Sequence, residues 1–164
     1  MDKKFLDIIY YFEHIFLPQT LFSEDYDLIG TIVRKPEENT LFNVFDAMCD
    51  ERKEKNPFTP DQFKAEEYHI RDGWYALDIT FPQPPMTPLC YAMYIFYKAD
   101  GTEKGCYTLE SGKNESGIQC GFLCQWKADG SHVNYGTKSL ETTAADILEE
   151  AFRIHTGLSA REEK

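Results

Sequence analysis

Cysteine, histidine and paired carboxylates are the groups in this chain that could carry chemistry, and their spacing decides how much. There are five cysteines: Cys49, Cys90, Cys106, Cys120 and Cys124. Cys120 and Cys124 lie in a run that alternates as a β-strand, which separates their Cα atoms by ~13 Å at about 3.3 Å per residue. One zinc ion cannot hold both thiolates at ~2.3 Å across that span. No Cys-x-x-Cys occurs, so no metal ligand is assigned. Cys90, Cys106, Cys120 and Cys124 read as small buried hydrophobes. A cysteine nucleophile needs a histidine base. Of His14, His69, His132 and His155, only His132 has a placement legible in the sequence: the turn Ala128-Asp129-Gly130 sets it opposite Trp126 and beside Cys124 and Asn134. Cys, His and Asn together form the constellation of some thiol hydrolases. On paired strands within an apolar face, with no oxyanion donors in view, the set reads instead as a packed Trp–His pair at the sheet rim.

Two carboxylate pairs stand out. Asp46 and Asp50 share a helix face, and Glu66 is expected to oppose Asp78 across the first hairpin. Carboxylates so opposed can part in pKa and serve as acid and base, although acidic residues at a solvated sheet edge give the same pattern. Glycine-rich phosphate loops and the Gly-x-Ser-x-Gly elbow are absent from the sequence, and the Asp-Gly turns lack the alternating carboxylates of a calcium loop. No catalytic residue and no cofactor is assigned, and the sequence points away from an enzyme. The class in excess is aromatic, at 15% of residues. Tyr and Trp bury much area with few rotors and are enriched at binding surfaces. The candidate binding residues are therefore Tyr94, Tyr97, Trp126, His132 and Tyr135.

These side chains need a scaffold, and three Asp-Gly turns supply its outline: Asp72-Gly73, Asp100-Gly101 and Asp129-Gly130. Each separates two strand-like runs. The fold class expected is α+β, with an antiparallel five- to six-stranded β-meander over about 65–136. Strands are predicted at 65–70, 74–81, 89–98, 102–110, 118–127 and 131–135. The simplest register at the second turn pairs Lys98 with Thr102, Phe96 with Lys104 and Met93 with Tyr107. Strand 89–98 carries Tyr91, Met93 and Ile95 on one face and Tyr94 and Phe96 on the other, so it reads either as an interior strand covered on both sides or as one covered on one side and exposing aromatics on the other. Strand 118–127 reads as buried on one face only, that of Ile118, Cys120, Phe122, Cys124 and Trp126. The proline-rich stretch 82–88 should cross an end of the sheet as extended polyproline.

Two N-terminal helices and one C-terminal helix are predicted to pack on this sheet. The first spans 2–16, with Phe5, Ile8, Ile9, Phe12, Ile15 and Phe16 on one face, and Pro18 ends it. Leu28–Val33 reads as a short strand or an irregular crossing. The second helix begins near Pro36, buries Leu41, Val44, Phe45 and Met48, and stops at Asn56-Pro57. Thr59–Gln62 has capping-box spacing. The C-terminal helix covers 140–156, and Gly157-Leu158 suits a left-handed ending with Leu158 folded back on the last turn. One domain over 1–158 and a frayed charged tail over 159–164 complete the outline.

Composition narrows the partners. The formal net charge is −11, spread along the chain, which repels phosphate backbones. Direct nucleic-acid binding is not expected, and a basic protein partner would be attracted. An odd cysteine number without a secretory signal favours free thiols and a cytoplasmic location; no run reaches the ~20 apolar residues of a membrane helix. In composition and layout the chain resembles small acidic bacterial immunity and inhibitor proteins, a likeness that no motif carries. It implies a non-catalytic module that binds and neutralises a basic partner. The alternatives are a small-molecule-binding protein or enzyme with a pocket near Trp126, His132 and Tyr135, and a self-associating structural protein that uses helix 2–16 or a sheet edge to form a homo-oligomer.

Overall fold

A computed structural model describes residues 3–80, 90–101, 103–113, 115–138 and 144–158. The expected polyproline crossing at 82–88, Leu140 and the tail from 159 lie outside the described residues, as do the side chains of Cys90 and Tyr91. The chain opens with α1 (Lys3–Tyr11), a π-helical turn (Phe12–Phe16) and α2 (Leu17–Leu21), which follow one another without a break. Phe5, Ile8, Ile9 and Phe12 form the buried stripe of the first part. Pro18 does not end the helix. It stands in the first turn of α2, and the adjoining π-turn, with its bond from Leu17 N–H to the Phe12 carbonyl, adjusts the hydrogen-bond ladder just before the missing N–H. The extra residue in that turn also shifts the buried stripe. Ile15 and Phe16 are only half-buried, while Glu13, His14, Leu17, Pro18 and Leu21 turn inward.

Residues 28–34 are neither strand nor crossing but a helix, α3 (Leu28–Arg34). Asp27 caps it, accepting a 2.9 Å bond from Gly30 N–H, and Leu28, Ile29 and Ile32 pack into the core. After a 3₁₀ turn at Pro36–Glu38 comes α4 (Thr40–Glu51). Leu41, Phe45 and Met48 are buried as expected, with Val44 half-buried and Cys49 joining them. The helix ends short of Asn56, in a Schellman motif without glycine. Lys53 takes φ 57°, its N–H reaches the Asp50 carbonyl, and Glu54 N–H reaches that of Cys49 at 2.8 Å. A 3₁₀ turn at Pro60–Gln62 carries the expected capping box.

Six strands then run as an antiparallel meander in sequence order: β1 (Lys64–Arg71), β2 (Trp74–Thr80), β3 (Cys90–Lys98), β4 (Lys104–Lys113), β5 (Gln119–Trp126) and β6 (His132–Lys138). The α+β class is as predicted. All three Asp-Gly turns fall at one end of the sheet, because each joins an odd strand to the next even one. The first is a two-residue turn with Asp72 at φ 50° and Gly73 at φ 81°, conformations that only Asp, Asn or Gly adopt cheaply. The third has the expected register, Trp126 opposite His132 and Cys124 opposite Asn134. The second does not. Lys98 N–H bonds the Glu103 carbonyl, so the loop is one residue longer, and Tyr97 pairs with Lys104 and Tyr94 with Tyr107.

Helices clothe both faces. The N-terminal helices cover Leu77, Ile79, Met93, Ile95, Tyr97, Cys106, Cys124 and Trp126. On the opposite face α5 (Ala144–Thr156) covers Trp74, Ala76, Tyr94, Phe96, Tyr107, Leu109 and Leu123 through Ile147, Ala151 and Phe152. β3 is thus an interior strand buried on both sides, which decides between the two readings its sequence left open. β5 is not one-sided: Leu123 is wholly buried on the second face, opposite Leu109. Ile118 lies outside the strand and is exposed. Gly157 (φ 76°) closes α5 with a bond to the Arg153 carbonyl, but Leu158 stays exposed rather than folding back.

Phe152 has no solvent exposure and meets Trp74 edge-on at 5.8 Å and Phe96 at 5.6 Å. Phe152→Ala is expected to lower unfolding free energy by about 3–5 kcal/mol, measured by urea denaturation. A loss below ~1 kcal/mol would contradict the clamping of α5 on the sheet.

Candidate functional site

Three groupings hold the residues with functional potential. The first lies beneath the π-turn. His14 is buried to 1% exposure and stacks on Trp126, with ring centroids 4.1 Å apart at 28°. Trp126 meets His132 at 4.5 Å, and Tyr10 lies 4.5 Å from His14. The Trp126 indole N–H donates to Thr108 Oγ1 at 2.6 Å. His14 Nε2 stands 2.7 Å from Glu110 Oε1, an ion-pair distance without hydrogen-bond alignment. The expected Trp126–His132 pair is therefore real, but His14 and Glu110 complete it, and the sequence had presented Glu13 and His14 only as breaks in an apolar run. Packing this dense leaves Trp126 3% exposed. Cys124 shares the face, and burial pushes its thiol up to about 11, which disfavours the thiolate form that a nucleophile needs. Burial pushes Cys106 to about 12 in the same way. Among the described residues no three His, Cys, Asp or Glu side chains converge as metal ligands.

The second grouping is on the opposite face. Glu66 stands across from Asp78, as expected, and Tyr68 donates to Glu66 Oε2 at 2.6 Å. Tyr94, a predicted binding residue, is buried here with 2% exposure, so it offers no surface to a partner. Tyr135 is on this face too, exposed, with its hydroxyl donating to Gln125 Oε1 at 2.9 Å. It therefore cannot line one pocket with Trp126 and His132, which lie on the other side of the sheet. His155 of α5 sits over Gly105, whose missing Cβ would come within 2.4 Å of the imidazole, and burial pulls the pKa of that imidazole down.

The third grouping is a cleft of about 980 Å³ at the Asp-Gly end of the sheet. Its walls are the α2–α3 loop with α3 on one side and the β3–β4 turn on the other; Glu67 of β1 and His155 of α5 also border it. Its shape follows from local bonds. Lys104 Nζ reaches the Leu21 carbonyl at 3.3 Å, fixing β4 to the end of α2. Arg34 meets Asp27 at 3.1 Å. Buried Gly30 makes room for that pair, since a Cβ there would fall 2.1 Å from Asp27 Oδ2. The Gly30 N–H bond, then Arg34, hold the Asp27 carboxyl below its usual range. Tyr97, a predicted binding residue, is 8% exposed and donates from its hydroxyl to Glu67 Oε2. Phe22 and Tyr26 are exposed in the cleft wall. No sequence pattern singled out these two, because residues 18–35 gave no clear periodicity.

No family model matches the chain, and no curated protein or solved structure matches it either. The site is therefore read from its own geometry. Buried His14 with half-buried Glu110 can lock the helical layer to the sheet, Glu66 and Asp78 face each other across β1 and β2, and the cleft can hold a ligand.

A double-mutant cycle with His14→Gln and Glu110→Gln should give a coupling of about 1–3 kcal/mol in unfolding free energy. Additivity within ~0.3 kcal/mol would refute the pair. The Asp78 carboxyl is held above its usual range, first by burial and then by Glu66. The fold therefore favours its protonated form. That stabilisation is complete below the unfolded-state pKa and is lost as pH rises through the folded-state value. Asp78→Asn should match the wild type in stability at acid pH and exceed it at neutral pH, as read by urea unfolding across the pH range. Parallel pH profiles would contradict the shift.

Proposed function

We propose that this chain is a non-catalytic protein-binding module of inhibitor or immunity type, and that it engages a basic protein through the cleft at the Asp-Gly end of its sheet. The observation that carries this reading is the pairing of exposed aromatic rings with carboxylates in one concavity: Phe22 and Tyr26 beside Glu24, Glu67, Asp100 and Glu103. Aromatic anchors bury the most area per ordered rotor. Carboxylates around them speed encounter with a cation-rich surface and reject anionic ones. The net charge of −11 acts in the same sense over the whole molecule and disfavours direct nucleic-acid binding. Within this reading the protein is one α+β domain over 1–158 with a charged tail. It works in the cytoplasm, in keeping with the buried free thiols of Cys49, Cys106, Cys120 and Cys124. Of the five residues nominated from sequence, Tyr97 contributes to the cleft, while His132 and Tyr135 offer secondary contacts along β6. Tyr94 and Trp126 serve the core.

Self-association is the weaker reading. Phe5, Ile8, Ile9 and Phe12 of the first helix are spent on the protein's own core, which leaves the edge strands β1 and β6 for any copy-to-copy contact.

The test compares two charge reversals in affinity capture from the native cell with quantitative mass spectrometry. Glu24→Lys with Asp100→Lys and Glu103→Lys alters the cleft. Glu37→Lys with Asp50→Lys and Glu51→Lys alters exposed positions elsewhere by the same charge. A basic protein should be retained by the wild type and by the second variant and lost by the first. Retention by the cleft variant, with an unchanged melting temperature, would overturn the proposal.

A further inference from the structure

We infer that the cleft is a socket for a guanidinium group, so that the partner is recognised through an arginine side chain lodged against Glu67. This rests on the reading of the cleft as the docking site. Glu67 projects from β1 and accepts a hydrogen bond from Tyr97, two strands away on β3. Tyr97 is itself held by stacking on Tyr75 at 5.8 Å and 17°. The phenol therefore occupies one carboxylate oxygen and orients the other. An exposed glutamate is ordinarily a freely rotating charge; this one is aimed, which reduces the ordering cost of binding a cation.

The cations of the cleft are already engaged. Arg34 pairs with Asp27 at 3.1 Å, Lys98 lies 3.9 Å from Glu103, and Lys104 is bonded to the Leu21 carbonyl. Among the described residues none of these three cations is paired with Glu67, whose carboxylate faces the cleft for an external positive charge. Arginine fits better than lysine on two counts. Its planar, weakly hydrated head can stack on the exposed rings of Phe22 and Tyr26, and its forked donors can reach a carboxylate while serving a second acceptor. An ammonium is a compact, strongly hydrated charge and gains less from ring faces. At about 980 Å³ the cleft exceeds one side chain, so neighbouring residues of a peptide enter with the arginine.

The probe is the pentapeptide acetyl-Gly-Gly-Arg-Gly-Gly-amide, titrated into the ¹⁵N-labelled full chain, with its lysine and citrulline counterparts as comparisons. Citrulline keeps the shape and removes the charge. Amide shifts should cluster at 22–34 and 97–104, and the citrulline peptide should bind about tenfold more weakly, or worse. Glu67→Gln should weaken the arginine peptide by about tenfold, Tyr97→Phe by roughly threefold, and Glu37→Gln not at all. Equal affinity for citrulline, or unchanged affinity in a folded Glu67→Gln protein, would overturn the socket. If the socket fails while cleft charge reversal still releases a basic partner, the docking site stands and only its arginine specificity is lost. If charge reversal leaves the partner bound, the docking reading itself falls, and the socket with it.

Discussion

The double-sided burial of β3 is the constraint on which the fold depends. Met93, Ile95 and Tyr97 face one way and Tyr94 and Phe96 the other, all within 8% exposure. A strand that is apolar on both faces cannot be satisfied by one layer of helices. The chain therefore divides its helical residues, those before the sheet covering one face and α5 the other. Each large side chain so buried contributes about 1.5–3 kcal/mol, so both coverings are held by the same strand. That division also leaves the Asp-Gly end open between the two layers, and this is where the cleft forms.

Local chemistry was legible where one residue type dictates one geometry. Asp-Gly pairs announced the turns, Thr59 to Gln62 announced a capping box, and alternation in 89–98 announced a strand with large apolar groups on both faces. Misreadings came where local preference met a tertiary demand. Ile29, Thr31, Ile32 and Val33 favour strands as isolated residues, yet the Asp27 cap and the burial of Leu28, Ile29 and Ile32 make them a helix. Pro18 is a stop signal in an isolated helix and a first-turn residue after a π-turn. An Asp-Gly pair marks a turn without fixing its length, and one extra residue in the second loop moved that register by a step. For the candidate site, alternation told which residues share a face but not which faces are covered. Tyr94 and Trp126 were nominated as aromatic residue types and are interior.

The polar groups divide into those that hold the layers and those that meet solvent. His14 and Glu110 sit where the helical layer meets the sheet, and the cost of burying the imidazole is offset by the half-buried carboxylate and by the aromatic rings around it. Such a contact specifies one orientation of the helix over β4 and β5, which greasy packing alone would leave degenerate. The cleft carboxylates are wetter, and exposed Glu67 is the one oriented by Tyr97. Rigid interior and receptive rim are joined through Lys104, which belongs to β4 and holds the end of α2.

The π-turn at Phe12–Phe16 works as a phase-shifter between two rods. Upstream, the inward positions are 5, 8, 9 and 12; downstream they are 13, 14, 17, 18 and 21. No single α-helical stripe contains both sets. Excising one residue from the turn would restore a regular helix in which both sets fall on one stripe, because the turn holds one residue more than an α-helix over the same path needs. The turn therefore buffers length: one residue can leave it with both rods still in phase, whereas an insertion or deletion within either flanking rod turns part of its inward set by about 100°.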